Sequence, residues 1–338
     1  MRVELPAARQ EAHTPIDDLI ALGGAGIMVS ELGGGPEAVR AAPGVVRLGV
    51  HRAGPLPAGP LEAFDILLSA EPSAPRPWVG VRPERLDVHL ADLAARVAAQ
   101  PAAAAAAAQV LRTTLQVSFD QALVVESLAY SMLLASEGFR TWRVANPPRD
   151  RAPDAGPRVL IEAEGPILQI HLNRPAARNA FDARMRDELV EALAFAIAHP
   201  DAPAVELGAV GPAFSAGGDL DEFGRADDAG RAHLVRTLRS PAALVGQLGA
   251  RMTARLHGAC VGAGIEVPAA AARVTARRGS FFRLPEVSMG LIPGAGGTAS
   301  IARRIGRRRT AYMAISGADI DLSTALAWGL VDAEEVAW

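Results

Sequence analysis

The sequence predicts an α/β fold, and three observations carry that expectation. From Val159 onward, short apolar runs of strand type alternate with longer amphipathic stretches. Within 183–198, Met185, Leu189, Leu193 and Ile197 recur every fourth position and so share one face of a helix. The strand pattern MTARL (252–256) then runs into a glycine-rich turn followed by two glutamates, Glu266 and Glu286.

Taken in order, residues 1–90 hold three apolar runs, at 26–30, 45–50 and 64–69, each bounded by glycine or proline as short strands are. No catalytic motif lies there, and His51 reads as a surface or packing residue with a functional role as the alternative. This part is expected to be an N-terminal lobe. Residues 91–143 read as a helical segment: the alanine run 102–108 favours helix, and Ser118 with Gln121 forms a capping box ahead of a second helix that Gly138 is placed to close. That second helix is apolar around much of its girth, which suits a buried or interface position. Residues 144–157 carry four prolines and read as a linker, leaving 158–338 as the core. In the core, VLIE and ILQIHL predict a hairpin around Gly165-Pro166, 204–210 a buried strand, 230–248 a helix, and 301–316 a helix with a dense arginine face.

Composition narrows the chemistry. Half of the 338 residues are hydrophobic and the net charge is −3, so nothing calls for nucleic acid as partner. All 34 basic residues are arginine, which removes lysine Schiff bases and a P-loop lysine. The seven histidines show no ligand spacing, so no metal is expected. A single cysteine, Cys260, allows no internal disulfide, and with no apolar leader the expectation is a cytoplasmic protein.

The residues that could carry chemistry cluster in LHGACVGAGIEVPAAAARVTARRGSFFRLPEVSMGLIPGAGGT (256–298). A helix starting near Ala263 would aim unpaired N–H groups at whatever occupies the turn, a place to stabilise an oxyanion. Glu266 just inside that helix and Glu286 twenty positions on could act as acid and base. The alternative is that Glu266 complements a helix N-terminus and Glu286 is a surface turn residue after Pro285.

This stretch, with IHLNRPAARNAF and GPAFSAGGDLDEF upstream and RRIGRRRTAYMAISGADIDLSTALAWGLVD downstream, resembles the crotonase (enoyl-CoA hydratase/isomerase) superfamily over residues 159 to about 333. The resemblance implies a spiral of ββα repeats, here with an N-terminal extension and helical segment. It implies an oxyanion hole from the backbone N–H groups of Gly218 and Ala263, where glycine is more usual at the second position, and catalysis by Glu266 and Glu286, which are both present in hydratases. It also implies coenzyme A binding at Arg178 and Ala216, with Arg174 a weaker candidate and a plain surface arginine the alternative at 178. Arginines 303, 304, 307, 308 and 309 are expected to form a solvated helix face, one of which could meet a phosphate. Asp219 and Asp221 are expected to shape the adjoining loop, and Cys260 to be a small buried residue.

The expected activity is hydration of a 2,3-enoyl-CoA, with coenzyme A only as part of the substrate, no separate cofactor, and a trimer or hexamer as the family's habit. Rival expectations on the same scaffold are double-bond isomerisation, thioester hydrolysis or the cofactor-free oxygenation of dihydroxyphenylacetyl-CoA dioxygenases. A rival of another class is a non-catalytic partner subunit, against which the two glutamates speak. Finally, residues 101–143 resemble the helices that usually follow the GLVD-type strand in this family, although here they precede the core and the sequence runs only six residues past Asp332. A permuted arrangement is expected, in cis or across a subunit boundary, with an independent helical domain as the alternative.

Overall fold

The computed structural model describes residues 26–32, 44–59, 61–149, 155–199 and 204–335. The expected hairpin forms from β5 (Val159–Glu164) and β6 (Ile167–Leu172), turning at Gly165, whose φ of +55° suits a residue without a Cβ. From β6 the sheet continues in parallel through β7 (Ala204–Ala209), β8 (Met252–Leu256), β10 (Arg273–Arg277) and β13 (Ala333–Glu335). A second, three-stranded sheet sets β9 (Ala259–Val261) parallel to β11 (Phe281–Arg283), with β12 (Ile320–Asp321) antiparallel at its edge. The chain therefore climbs by repeats: a strand in the large sheet, a strand in the small one, then a helical turn, as in β8–β9 followed by Ala263–Glu266. These are the expected ββα turns.

The first three N-terminal strands appear within two residues of their predicted places. β1 (Ile27–Glu31), β2 (Val46–His51), β3 (Ile66–Ser69) and β4 (Val79–Gly80) form a parallel four-stranded sheet in that order. Every residue of β2 and β3 is buried, which explains their continuous apolar runs. His51 is a packing residue: Nδ1 meets Ser69 Oγ at 3.0 Å and Nε2 meets the Gly54 carbonyl at 3.1 Å.

The helical segment divides into α1 (Leu86–Ala99), α2 (Pro101–Thr113), α3 (Phe119–Leu134) and α4 (Glu137–Ala145). The capping box forms as read, Ser118 Oγ accepting from Gln121 N and Gln121 Oε1 from Ser118 N. Gly138, however, does not close α3. The chain turns at Ala135, Ser136 caps α4 by accepting from Phe139 N, and Gly138 lies inside α4, where a Cβ would strike the Gln100 side-chain amide. α3 buries one face (Ala122, Leu123, Glu126, Ser127, Leu133) and exposes Val124, Leu128 and Met132 on the other.

Three helices expected from the sequence are shorter in fact, each for a local reason. The 230–248 stretch is α6 (Ala229–Leu238) and α7 (Pro241–Leu248), because Ser240 caps a new helix and Pro241 takes its first turn. The helix from Ala263 is a single turn, α8 (Ala263–Glu266), before Pro268 starts a 3₁₀ turn. α5 (Ala183–Ala198) matches its predicted span, whereas 301–316 falls into α9 (Gly297–Ile305) and α10 (Arg307–Ser316), broken at Gly306 with φ +82°.

The arginine face corrects another expectation. Arg307, Arg308 and Arg309 on α10 do not face solvent but donate to main-chain carbonyls of the N-terminal lobe. Arg307 reaches Glu62 O at 2.5 Å, Arg308 reaches Phe64 O at 3.2 Å, and Arg309, only 4% exposed, reaches Trp78 O at 2.9 Å. Burial lowers Arg308 and Arg309 to about 10, still well above neutrality. Arg303 instead donates to Val117 O, and Arg304 to the carbonyls of Ala269 and Ala271. A guanidinium has five donors in a fixed fork, so it can join two pieces of chain through carbonyls alone. Arg309→Met should leave buried carbonyls unsatisfied and lower the unfolding free energy by about 2 kcal/mol, read by urea denaturation against the exposed control Arg278→Met.

The largest buried apolar cluster runs from Val46 and Leu48 through Ala103, Ala107, Val110 and Leu193 to Val331. α2 packs on α10, and α3 on α6 and α9, within the same chain. The helices expected to come from a permuted order thus lie in cis on the core. Of the predicted linker, 144–149 is exposed and 150–154 lies outside the described residues.

Candidate active site

Two turns meet at the carboxyl ends of β7 and β9. Ser215 donates its N–H to Ala259 O at 3.1 Å and accepts on its carbonyl from Val261 N at 3.0 Å, so the loop 213–218 runs beside β9 as an added strand. The close approach depends on two glycines. A Cβ on Gly217, whose φ is +92°, would lie 2.9 Å from Val261 O, and one on Gly264 would lie 2.7 Å from Ser215 O. The apposition brings Gly218 and Ala263, the two expected N–H donors, to the wall of one cavity of about 390 Å³. Among the described residues neither N–H donates to a backbone carbonyl. Because α8 is one turn long, these are individual amides rather than the end of an extended helix dipole.

The loop is held from behind by a polar scaffold. Asn179, buried and left-handed at φ +53°, accepts from Arg174 N and donates to the carbonyls of Val210 and Ala213. Arg174 Nη1 donates to Asp219 Oδ2 at 2.6 Å, which makes Arg174 a buried structural arginine. Asp219 also accepts from Asp221 N, and Asp221 from Arg149, so both aspartates shape the loop as expected. Arg178 is exposed, and its carbonyl accepts the Ala216 N–H at 2.9 Å. The two expected coenzyme A contacts are therefore adjacent to each other, but neither belongs to the cavity lining.

Glu266 and Glu286 both line that cavity and both are buried, so Glu286 is not a surface turn residue. It opens a 3₁₀ turn, Glu286–Met289, right after Pro285, and sits against Gly262, where φ +50° and the nearness of Glu286 Oε1 exclude any Cβ. Its Oε2 is buried with no hydrogen-bond partner among the described residues. Glu266 does complement a helix start, but that of α9 rather than its own: Oε2 accepts from Ala295 N at 2.8 Å and Gly297 N at 2.9 Å. Burial is the main force raising both carboxyls. Glu266 rises to about 7, restrained by the turn's amides, while Glu286 lies well above the usual carboxylate range through burial and then the nearby Glu266.

Sequence reasoning missed a third carboxylate. Glu126, on α3 and 2% exposed, enters the same cavity and accepts from Gly296 N (2.7 Å), Thr298 N (2.8 Å) and Thr298 Oγ1 (2.6 Å). Tyr130, one turn further along α3, lines the cavity with its ring packed where a Cβ on Gly294 would have to go. Arg236 of α6 lies 4.8 Å over that ring. The available signal was that Glu126 lies within 101–143, the stretch that resembles family helices, but nothing local showed which way Glu126 faces. Cys260 is buried and its thiol is pushed up by burial, consistent with a packing role.

The chain is similar to known proteins over its core. A family model for enoyl-CoA hydratase/isomerase matches residues 162–335, just over half of the chain. The chain is 32% identical over 173 residues to 2,3-dehydroadipyl-CoA hydratase of Escherichia coli, covering 51% of this chain and 67% of that protein. It is 31% identical over 174 residues to mevalonyl-coenzyme A hydratase of Beauveria bassiana, covering 49% and 62%. A solved enoyl-CoA hydratase from Thermoplasma volcanium aligns over 54% of this chain and 73% of its own, with 29% identity and a TM-score of 0.49. The matched part thus spans a little under to about two thirds of these curated relatives. A β8–β9 glycine turn, a Glu266–Glu286 pair in one cavity and a family match across all the core repeats lead to one conclusion: the chain belongs to the crotonase, or enoyl-CoA hydratase/isomerase, family.

Proposed function

We propose that this protein hydrates the 2,3-double bond of an enoyl-CoA thioester. The observation that carries the reading is the cavity's pairing of two uncommitted N–H groups with two buried carboxyls whose surroundings differ. Gly218 N–H and Ala263 N–H hold the thioester oxygen and stabilise the charge that gathers there, an effect of about 3 kcal/mol per donor. Glu266, whose oxygen is bonded by two amides, acts as the base: it takes a proton from water as the water oxygen bonds to Cβ. The π-electron pair moves onto the thioester as an enolate. Glu286, buried without a donor on Oε2 and so held neutral, delivers its proton to Cα as the carbonyl reforms. One proton then passes from Glu266 back to Glu286, and the cycle closes with water added.

Coenzyme A is proposed to lie along the 174–178 loop, with Arg178 toward its phosphates and the Ala216 main chain toward its adenine end. Coenzyme A enters only as part of the substrate, the working form is proposed to be a trimer or hexamer, and the compartment the cytoplasm. The test is a panel of enoyl-CoA thioesters followed by loss of enoyl absorbance. Hydration of at least one is expected, without added metal or redox cofactor. A shifted double bond, free acid or oxygen uptake in its place would assign the cavity to isomerisation, thioester hydrolysis or oxygenation.

A further inference from the structure

We propose that Glu126, carried on α3 ahead of the family core, is a positioning residue of this reaction: with Glu266 it grips alternate amides of one turn and so fixes where Glu266 presents its base oxygen. The inference rests on the hydratase reading for its kinetics, but its geometry stands apart from it. Along Ala295–Thr298 the amides alternate in direction. Those of residues 295 and 297 go to Glu266, those of 296 and 298 to Glu126. One short turn is thereby clamped from both sides. Gly296 and Gly297 make the clamp possible, since a Cβ on Gly297 would lie 2.6 Å from Glu266 Cγ and Gly296 needs φ +111°.

The three carboxylates divide their work by which oxygens remain. Both oxygens of Glu126 face donors, one on Oε1 and two on Oε2, so it has little lone-pair capacity left to take a proton from a water. Glu266 takes the close hydrogen bonds of Ala295 N and Gly297 N on Oε2, with the Gly294 amide also nearby, so Oε1 carries less of the clamp. Three donors favour the ionised form of Glu126, but burial and then repulsion by Glu266 outweigh them and raise its carboxyl to about 8. That repulsion is mutual: whichever of the two ionises first makes the other hold its proton more tightly, so removing Glu126 lets Glu266 titrate at lower pH. The other charged or titratable groups facing Glu126 are Glu286, Tyr130 on its own helix, and Arg236 from α6; His233 of α6 meets Ser127 Oγ next door.

Glu126 lies outside the family match, which begins at residue 162. The implication is that the segment before the core supplies part of the catalytic apparatus rather than a separate function.

The experiment uses the full chain. In Glu126→Gln, kcat for enoyl-CoA hydration should fall about ten- to a hundred-fold with KM nearly unchanged, as for a displaced catalytic group. The limb of the kcat/KM profile that reports Glu266 should move to lower pH. A second readout needs no turnover: in protein with ¹³C-labelled glutamate carboxyls, the Glu266 resonance, assigned by its loss in Glu266→Gln, should titrate at lower pH in Glu126→Gln. If that variant does not fold, Thr298→Val removes the hydroxyl bond to Glu126 alone and should move the titration the same way by less. An unmoved Glu266 titration in whichever variant folds overturns the proposal. Wild-type protein that hydrates no enoyl-CoA, but whose Glu266 titration still shifts, would overturn the hydratase reading and leave this one standing.

Discussion

Glu286→Gln should lower kcat by about two to four powers of ten while the affinity for a non-reactive acyl-CoA stays within a few-fold of wild type. Glutamine keeps the side chain's size beside Gly262 and fills the same buried site, so the fold is spared, but it cannot release a proton to Cα. Glu266→Gln should have an effect of the same order for the opposite reason, because an amide cannot accept the proton of the attacking water. The two can be told apart by solvent hydrogen exchange. With saturated acyl-CoA, the residue that exchanges protons with Cα governs incorporation of deuterium at that carbon, so Glu286→Gln should abolish it and Glu266→Gln should reduce it less. Unchanged turnover in Glu286→Gln would sink the two-carboxylate mechanism and favour chemistry that needs one carboxylate.

Much of this was readable because it is local. The four-residue recurrence of Met185, Leu189, Leu193 and Ile197 placed α5 residue for residue, and apolar runs placed β2, β3 and β7 to within two positions. The glycine-rich turn before Ala263 was readable as a place of close approach, and Gly262 and Gly264, together with Gly217 of the facing loop, do let the two backbones touch there. Punctuation was visible but underweighted: Ser240-Pro241, Pro268 and Gly306 each end a helix that apolar periodicity alone would continue. The remainder was beyond local reading. Glu126 acts on amides 170 and 172 positions later, and Arg307–Arg309 on carbonyls more than 230 positions earlier. A main-chain carbonyl looks the same in every residue, so a sequence does not reveal which arginine will be buried by one.

Residues 155–338 expressed alone should be insoluble, and co-expression of residues 1–149 should recover soluble protein. The reason lies in what the two pieces do for each other. α2 presents Ala103, Ala104, Ala107 and Ala108 as a flat buried face, and small side chains let it lie close along α10. α3 adds Ala122 and Leu123, packed with Ala242 and Ala299 of the core. Without them the core would expose the buried faces of α9 and α10, an apolar patch too wide for a soluble monomer. The polar accounts are equally shared. Thr298 O loses the Thr114 hydroxyl at 2.9 Å, the Gly296 and Thr298 amides lose Glu126, and Arg307–Arg309 lose their carbonyls, each buried group so orphaned costing about 1–3 kcal/mol. Summed over these six groups, and wherever they stay shielded from water, the loss is about 6–18 kcal/mol, of the same order as the roughly 5–15 kcal/mol by which a domain of this size is stable. The two pieces produced together keep every one of these contacts, since the link between them passes through the exposed stretch 144–149 and beyond it. A soluble 155–338 fragment with native helix content and full hydration activity would show that the N-terminal helices are a separate domain resting on a finished core, and would remove Glu126 from the site along with them.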